Sequence, residues 1–228
     1  MELTGQKGKG HNLTGHLVNY CSIKIISGNE KFKNILFDIN KYSFKEDLVF
    51  FPGNNLPKIV YVQMIINALS VGETAWAEEF IETYASRLKP ETKKAMYALG
   101  KALVLADLAK YEDVLKQLHE VDYIDVRDKI QVKILTAKAY YELNQLETLR
   151  SFIDSTRHFI KSSTGLNKLR QNFYSNFLNY LQKAVTLKEK PDKAQVHALK
   201  KEIQEIKEIS PKKWILEKFD ELAAGNKE

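Results

Sequence analysis

The chain has 228 residues, with 35 basic and 29 acidic side chains, a formal net charge of +6 at pH 7 and a single cysteine, Cys21. This length accommodates one large or two small domains, and one cysteine excludes both an internal disulfide and a multi-thiolate metal site. No apolar stretch reaches the ~18 residues of a membrane span, and no basic-then-apolar leader opens the chain, so we expect a cytoplasmic protein with no membrane partner.

Glycine and proline mark the ends of the predicted helices. Four of the ten glycines fall within the first 15 residues, so residues 1–12 are predicted to be a flexible lead-in. Beyond them, apolar residues recur at intervals of three and four, which is the period of an α-helix. The spacing predicts eleven helices, at 13–27, 30–43, 57–71, 74–88, 91–109, 111–121, 126–143, 145–162, 166–188, 191–208 and 211–223.

Single residues fix several of these boundaries. Asp125 is a predicted N-cap for the helix that begins at Val126. Pro90 suits a first helical turn, where Glu91 would lie near the positive end of the helix. Gly165 is predicted to adopt the left-handed conformation that ends many helices.

Successive helices form pairs, and the pairs repeat at intervals of 42, 37 and 35 residues along the chain. The second helices carry apolar stripes at related spacings: Phe32, Ile35, Ile39 and Tyr42; Thr74, Ala77, Ile81 and Tyr84; Tyr111, Val114, Leu118 and Val121; Leu146, Leu149, Ile153 and Thr156. A stripe on one face has to be covered by another part of the protein. The helix 126–143 is apolar on two sides, as expected of a helix between two neighbours. This alternation predicts stacked helix pairs.

Two segments, ALGKALVLADLAKYEDVLKQLHEV and KILTAKAYYELNQLETLRSFIDS, resemble tetratricopeptide (TPR) repeats over about 90–162. Ala102 and Ala137 occupy the small close-contact position of the first helix, and Leu105 and Tyr140 occupy its large-residue position. The resemblance implies an all-α fold, an α-α superhelix of degenerate TPR-like helix pairs.

The run from residue 13 to residue 181 is also similar to the helical C-terminal region of large uncharacterised bacterial proteins. We therefore expect a TPR-like repeat domain at 13–188 and a C-terminal helical cap at 189–228 that covers the last apolar face. Two alternatives remain: an unrelated helical bundle, and a C-terminal segment that pairs with a second chain.

No motif for catalysis, cofactor binding or metal binding is present. The five histidines include no H-E-x-x-H pair, and His11 and His16 would not share a helix face. Cys21 lies in an apolar helical pattern typical of a buried residue. We predict a protein that is not an enzyme and needs no cofactor or metal, although a site built from scattered residues stays a third alternative.

The TPR resemblance implies a non-catalytic scaffold that binds a protein or peptide on the concave face lined by the first helices. Of the adjacent Tyr140 and Tyr141, only one can point fully inward, and Tyr140 is predicted to do so. Tyr141 would then lie with Lys138 and Glu142 toward the binding surface. The polar side of helix 166–188 is amide-rich and suits hydrogen bonding to an extended peptide; its residues are Arg170, Asn172, Asn176 and Asn179.

The alternative partner is a nucleic acid. Residues 157–228 carry 15 basic and 9 acidic side chains, a net of +6, whereas residues 1–156 balance. This basic third could attract phosphates, but its lysines alternate with acids, as on a solvated helix face. Phosphate binding would weaken steeply as salt rises, which separates the two functions.

Overall fold

The computed structural model describes residues 2–49, 55–119, 122–123 and 125–225, with side chains from residue 13 onward except Ile26. Within these ranges the protein is all-α, and no β-strand occurs. Eleven helices are present: α1 (Glu2–Ile26), α2 (Phe32–Lys45), α3 (Lys58–Ser70), α4 (Thr74–Tyr84), α5 (Pro90–Asp107), α6 (Tyr111–His119), α7 (Val126–Glu142), α8 (Leu146–Ser162), α9 (Lys168–Glu189), α10 (Lys193–Glu205) and α11 (Lys212–Ala224).

The eleven predicted helices are confirmed, with boundaries shifted by a few residues except at the start of the first. Helix α1 begins at Glu2, so residues 2–12, which the glycine content assigned to a lead-in, lie within it. Glycine inside a helix lowers the stability of the helix but does not prevent its formation.

The chain divides into two compact units, Met1–Asp122 and Tyr123–Glu228, called here the N unit and the C unit. The division falls inside the predicted repeat domain 13–188, between α6 and α7. The predicted cap 189–228 lies within the C unit.

In the N unit, α3 packs against both α4 and α5, and neighbouring helices contact one another from α1 to α6. Gly100 on α5 makes the closest approach. A Cβ atom at this position would lie 2.9 Å from Ile65 Cδ1 on α3 and 3.2 Å from Ile81 Cγ1 on α4. The missing side chain therefore lets three helices meet.

Four helix–helix turns share one conformation. Each has a left-handed residue, at Gly28, Gly72, Ala109 and Asn144, with φ of 90°, 81°, 56° and 55°. The next N–H donates to a carbonyl five residues earlier, the signature of a Schellman motif. These bonds are Asn29 to Lys24 (3.0 Å), Glu73 to Ala68 (3.0 Å), Lys110 to Leu105 (2.8 Å) and Gln145 to Tyr140 (2.9 Å). The turns within pairs α1–α2, α3–α4, α5–α6 and α7–α8 are thus alike. The same motif also ends α2, where Asp47 has φ of 54° and the Leu48 N–H donates to the Ser43 carbonyl at 2.8 Å.

The apolar stripes of the second helices differ in burial. Val114 on α6 and Leu149 on α8 are fully buried, as predicted. On α2, however, Ile35 is 44% exposed and Tyr42 is 57% exposed, so the prediction that this stripe is covered is wrong. The opposite face of α2 is buried instead, because its phenylalanines pack edge-on against the aromatic rings of α4.

In the C unit, side chains of α7 to α11 form one continuous apolar cluster. Helix α8 packs between α7 and α9, and α11 packs against α9 and α10. Three residues of α11, Trp214, Ile215 and Phe219, belong to this cluster and are buried. The last helix is therefore part of the core.

Of two local predictions for the C unit, the cap at Asp125 is confirmed and the left-handed conformation of Gly165 is not. The Asp125 cap is confirmed, since its Oδ1 accepts a hydrogen bond of 2.8 Å from the Arg127 N–H. Gly165 is not left-handed, so that prediction is wrong. A Cβ atom there would lie 2.7 Å from Val126 Cγ1, so close contact with α7 is what requires the glycine.

The buried hydroxyl of Tyr61 in the N unit has no hydrogen-bond partner among the described residues. Burial, with smaller contributions from Tyr97 and Glu82, raises its pKa well above the ordinary value of 10. A raised pKa means that the stability from this group is complete below pH 10 and is lost as the pH rises further.

We expect Tyr61→Phe to stabilise the N unit by about 1 kcal/mol at pH 7, because an unpaired buried polar group is removed. The variant should also lose less stability than the wild type above pH 10. Urea unfolding at pH 7 and pH 11 measures both effects. A destabilised variant at pH 7 would show that the hydroxyl is hydrogen-bonded, for example to water.

Candidate functional site

The structure reverses the predicted roles of Tyr140 and Tyr141. Tyr141 is only 2% exposed, whereas Tyr140 is half-buried and packs edge-on against Phe152 with ring centroids 5.5 Å apart. The Tyr141 ring meets Trp214 of α11 edge-on, at 5.6 Å. The prediction that Tyr141 faces an open surface is therefore wrong, because α11 covers it.

Glu142 of α7 binds α11 through two polar contacts. One carboxylate oxygen accepts hydrogen bonds from Trp214 Nε1, at 3.0 Å, and from Lys218 Nζ, at 2.8 Å. Lys218 is 8% exposed and also binds Glu221, at 2.7 Å. Burial disfavours the charge of Lys218, but its bonds to the two carboxylates outweigh this and raise its pKa. The two carboxylates thus offset the cost of burying the Lys218 ammonium group.

Two further lysines complete this junction. Lys138 Nζ lies 5.2 Å from the centroid of the Trp214 ring, within the range of a cation–π contact. Lys188 of α9 donates to the Tyr141 carbonyl at 3.2 Å and lies 4.4 Å from the Tyr141 ring centroid. The predicted site residues Lys138, Tyr141 and Glu142 therefore contact the protein's own C-terminal helix.

The amide row of α9 also binds an extended segment, but of the same chain. Asn172 Nδ2 donates to the Glu208 carboxylate at 2.9 Å, and Asn176 Nδ2 donates to the Glu208 carbonyl at 2.8 Å. Asn179 Oδ1 accepts from Arg157 at 3.2 Å, and Arg170 is exposed. A role of these four residues in partner binding stays a prediction.

A partner could bind this surface only by displacing α11, and the apolar area that α11 buries determines how costly that would be. Burying one large apolar side chain contributes about 1.5–3 kcal/mol, and α11 buries Trp214, Ile215 and Phe219. A competitor would have to replace several kcal/mol of contacts. The α7–α9–α11 junction is therefore a closed part of the fold.

An open cleft lies in the N unit, between α2 and α4. Its volume is about 350 Å³. Buried Phe44 and Phe80 form the floor, and half-buried Trp76 and Tyr84 stand along one side. We call this feature the aromatic cleft; it is lined by Lys41, Tyr42, Phe44, Lys45, Trp76, Glu79, Phe80, Thr83 and Tyr84.

Ring packing explains why the cleft exists. Trp76, Phe80 and Tyr84 follow one another at single-turn intervals on α4, and the Trp76 and Phe80 rings stack at 5.1 Å. Phe44 of α2 meets Phe80 at 4.9 Å and Tyr84 at 5.0 Å, both edge-on. Rings of this size hold the two helix backbones apart and leave a groove above them.

The rim of the aromatic cleft is charged. Lys41 and Lys45 are exposed on the α2 side, and Glu79 is exposed on the α4 side. Lys41 Nζ lies 5.4 Å from the Phe37 ring centroid. The α2 side therefore favours an acidic group on anything bound in the groove.

The predicted partner surface lies on the first helices, whereas the aromatic cleft lies between two second helices and is not among the predicted sites. The spacing of Trp76, Phe80 and Tyr84 was the available signal. Trp76 was interpreted as a core anchor, because aromatic residues at helical spacing usually belong to a core.

The described part of the chain contains no group of three or more histidine, cysteine or acidic residues placed to hold a metal ion. None of its helices combines the length and apolarity needed to cross a membrane. A second cleft, of about 620 Å³, lies beside Asn55, Leu56 and Lys89.

No protein-family model matches this chain, and neither a curated protein nor a solved structure is significantly similar to it.

Proposed function

We propose that this chain is a non-catalytic protein–protein interaction module, in which degenerate TPR-like helix pairs form a superhelical scaffold. The open aromatic cleft is the observation that carries the proposal, because the half-buried rings of Trp76 and Tyr84 stand there beside exposed charges. The shared turns of four helix pairs support the TPR-like part. We propose the aromatic cleft as the partner-binding surface. Lys138, Tyr141 and Glu142, which the sequence predicts to bind the partner, contact α11 instead.

The proposed occupant is an amphipathic helix of another protein. A groove between two helices accepts a helix whose apolar anchors recur at three- and four-residue intervals. A volume of about 350 Å³ suits one or two large side chains, such as tryptophan or leucine. Lys41 and Lys45 favour an acidic residue on the flank that faces α2.

Nucleic-acid binding is the weaker candidate. Many basic side chains of residues 157–228 already have carboxylate or carbonyl partners, and such pairing reduces the charge available to phosphates. The paired residues are Arg157, Lys183, Lys188, Lys200, Lys212, Lys213 and Lys218.

A random 16-residue peptide library displayed on phage tests the proposal against the full chain. We expect enriched peptides to combine an aromatic or leucine stripe with acidic residues. The double variant Lys41→Glu/Lys45→Glu should weaken their binding at least tenfold, and Thr83→Arg should block the groove. Fluorescence anisotropy of labelled peptides gives the dissociation constants.

The matched control is Lys93→Glu/Lys94→Glu, which reverses two exposed charges on α5, away from the cleft. It should leave the dissociation constants within twofold. Peptides that bind all variants equally would contradict the proposed site. Binding of a labelled 20-nucleotide single strand that falls steeply between 50 and 200 mM salt would favour the nucleic-acid alternative.

A further inference from the structure

The exposed stripe of α2 is the largest departure from the predicted burial pattern. Ile35 and Tyr42 are exposed and Ile39 is only partly covered. The equivalent residues that the structure describes on α6 and α8 are buried: Val114, Leu118, Leu149, Ile153 and Thr156. Val121, at the end of the predicted α6 stripe, lies outside the described residues. Exposed apolar residues that share one helix face favour an interaction surface. Tyr42 also stands at the edge of the aromatic cleft, whereas the floor of the cleft faces α4.

The charges at the two ends of this stripe indicate what covers it. Exposed Lys31 lies one turn before Ile35, and exposed Glu46 lies one turn after Tyr42. Steps of 4, 4, 3 and 4 residues join Lys31, Ile35, Ile39, Tyr42 and Glu46, so all five share one face of the helix. The stripe is positive at one end, apolar in the middle and negative at the other.

We infer that a second copy of this chain covers the stripe, with the two α2 helices antiparallel about a twofold axis. Positions 31 and 46, like positions 35 and 42, are centred on one point between residues 38 and 39. An axis through that point places Ile35 opposite Tyr42 of the second copy, and Lys31 opposite its Glu46, twice each. Such self-complementarity is what a twofold interface requires.

The charge of the N unit is compatible with self-association. Residues 1–122 carry 15 basic and 15 acidic side chains, so the N unit has no net charge to oppose pairing. Asp38 is exposed beside the axis, and the repulsion between its two copies keeps the expected affinity modest.

Helix α1 enlarges the surface. Leu13, Leu17 and Tyr20 are exposed, and the Tyr20 ring contacts Phe32 of α2 edge-on at 5.6 Å. One pair of helices alone buries less than the ~1,200 Å² of a standard interface, so the α1 residues are needed for a lasting complex. We expect a dissociation constant in the micromolar range.

Sedimentation equilibrium of the full chain at several concentrations tests the inference. We expect a dimer that Ile35→Glu abolishes, and a dissociation constant that Lys31→Glu or Glu46→Lys raises about tenfold. The double variant Lys31→Glu/Glu46→Lys should restore wild-type affinity, because each new charge meets its opposite. Lys93→Glu, an exposed position on α5 away from the stripe, should change nothing.

Disulfide trapping tests the register independently. In a Cys21→Ser background, a mixture of Ile35→Cys and Tyr42→Cys chains should form mixed disulfides. Each chain alone should not, because the two copies of position 35 would be about 10 Å apart along the helices, beyond disulfide reach.

Circular dichroism shows whether each variant keeps its helices. A monomeric wild type at 200 μM would overturn the inference. So would a dimer that folded Ile35→Glu leaves intact, or self-crosslinking of the Ile35→Cys chain.

Discussion

Ala137→Glu is expected to unfold the C unit. Ala137 is 0% exposed and lies within the apolar cluster formed by α7 to α11. A glutamate there would overfill a packed contact and place an unpaired carboxylate among apolar side chains. We expect a loss of about 4 kcal/mol or more, which exceeds the effect of most single substitutions.

Urea unfolding followed by circular dichroism and, in a Trp76→Phe background, by Trp214 fluorescence measures this loss. Gln131→Glu is the matched control, because it introduces the same residue on the same helix at an exposed position. Its effect should stay within about 0.5 kcal/mol. An Ala137→Glu chain as stable as this control would show that the position is accessible and that the proposed repeat register is wrong.

Trp214→Ala is expected to cost the C unit about 3–5 kcal/mol, the range for removing a buried aromatic side chain. The substitution removes the ring contacts with Tyr141 and Phe177. It also removes one of the two hydrogen-bond donors to Glu142. Both losses loosen α11 from α7 and α9.

Guanidinium unfolding measured by circular dichroism gives the free energy of unfolding. Lys213→Ala is the control, because Lys213 is exposed and its 3.8 Å ion pair with Glu217 contributes little. If Trp214→Ala were as stable as this control, α11 would be easy to displace. The surface of Lys138, Tyr141 and Glu142 would then be open to a partner after all.

The helices could be predicted from the sequence because their signals are local. Periodicity located all eleven, and a capping carboxylate located the start of α7 at Val126. The stripe of α8 is buried as predicted, because α8 has only one strongly apolar face. Signals of this kind need no knowledge of distant parts of the chain.

Which face of a helix is buried depends on tertiary contacts, and these cannot be predicted from the periodicity of the helix itself. Helix α2 has two apolar faces, one with Ile35 and Tyr42 and another with Phe37 and Phe44, and only the rings of α4 decide between them. Tyr141 is buried because Trp214, more than 70 residues later, covers it. No periodic pattern links positions so far apart. The candidate site was missed for the same reason, since the aromatic cleft depends on the distance between two helices.

The hydrogen bond between Glu142 and Trp214 spans 72 residues and has a consequence for the order of folding. During synthesis, α7 leaves the ribosome well before α11, so the side of α7 that carries Tyr141 stays uncovered until α11 has emerged. The N unit relies on contacts between helices that are close in sequence, which form faster. We therefore expect nascent chains that end before α11 to bind chaperones through the unfinished C unit while the N unit is already protected from proteases.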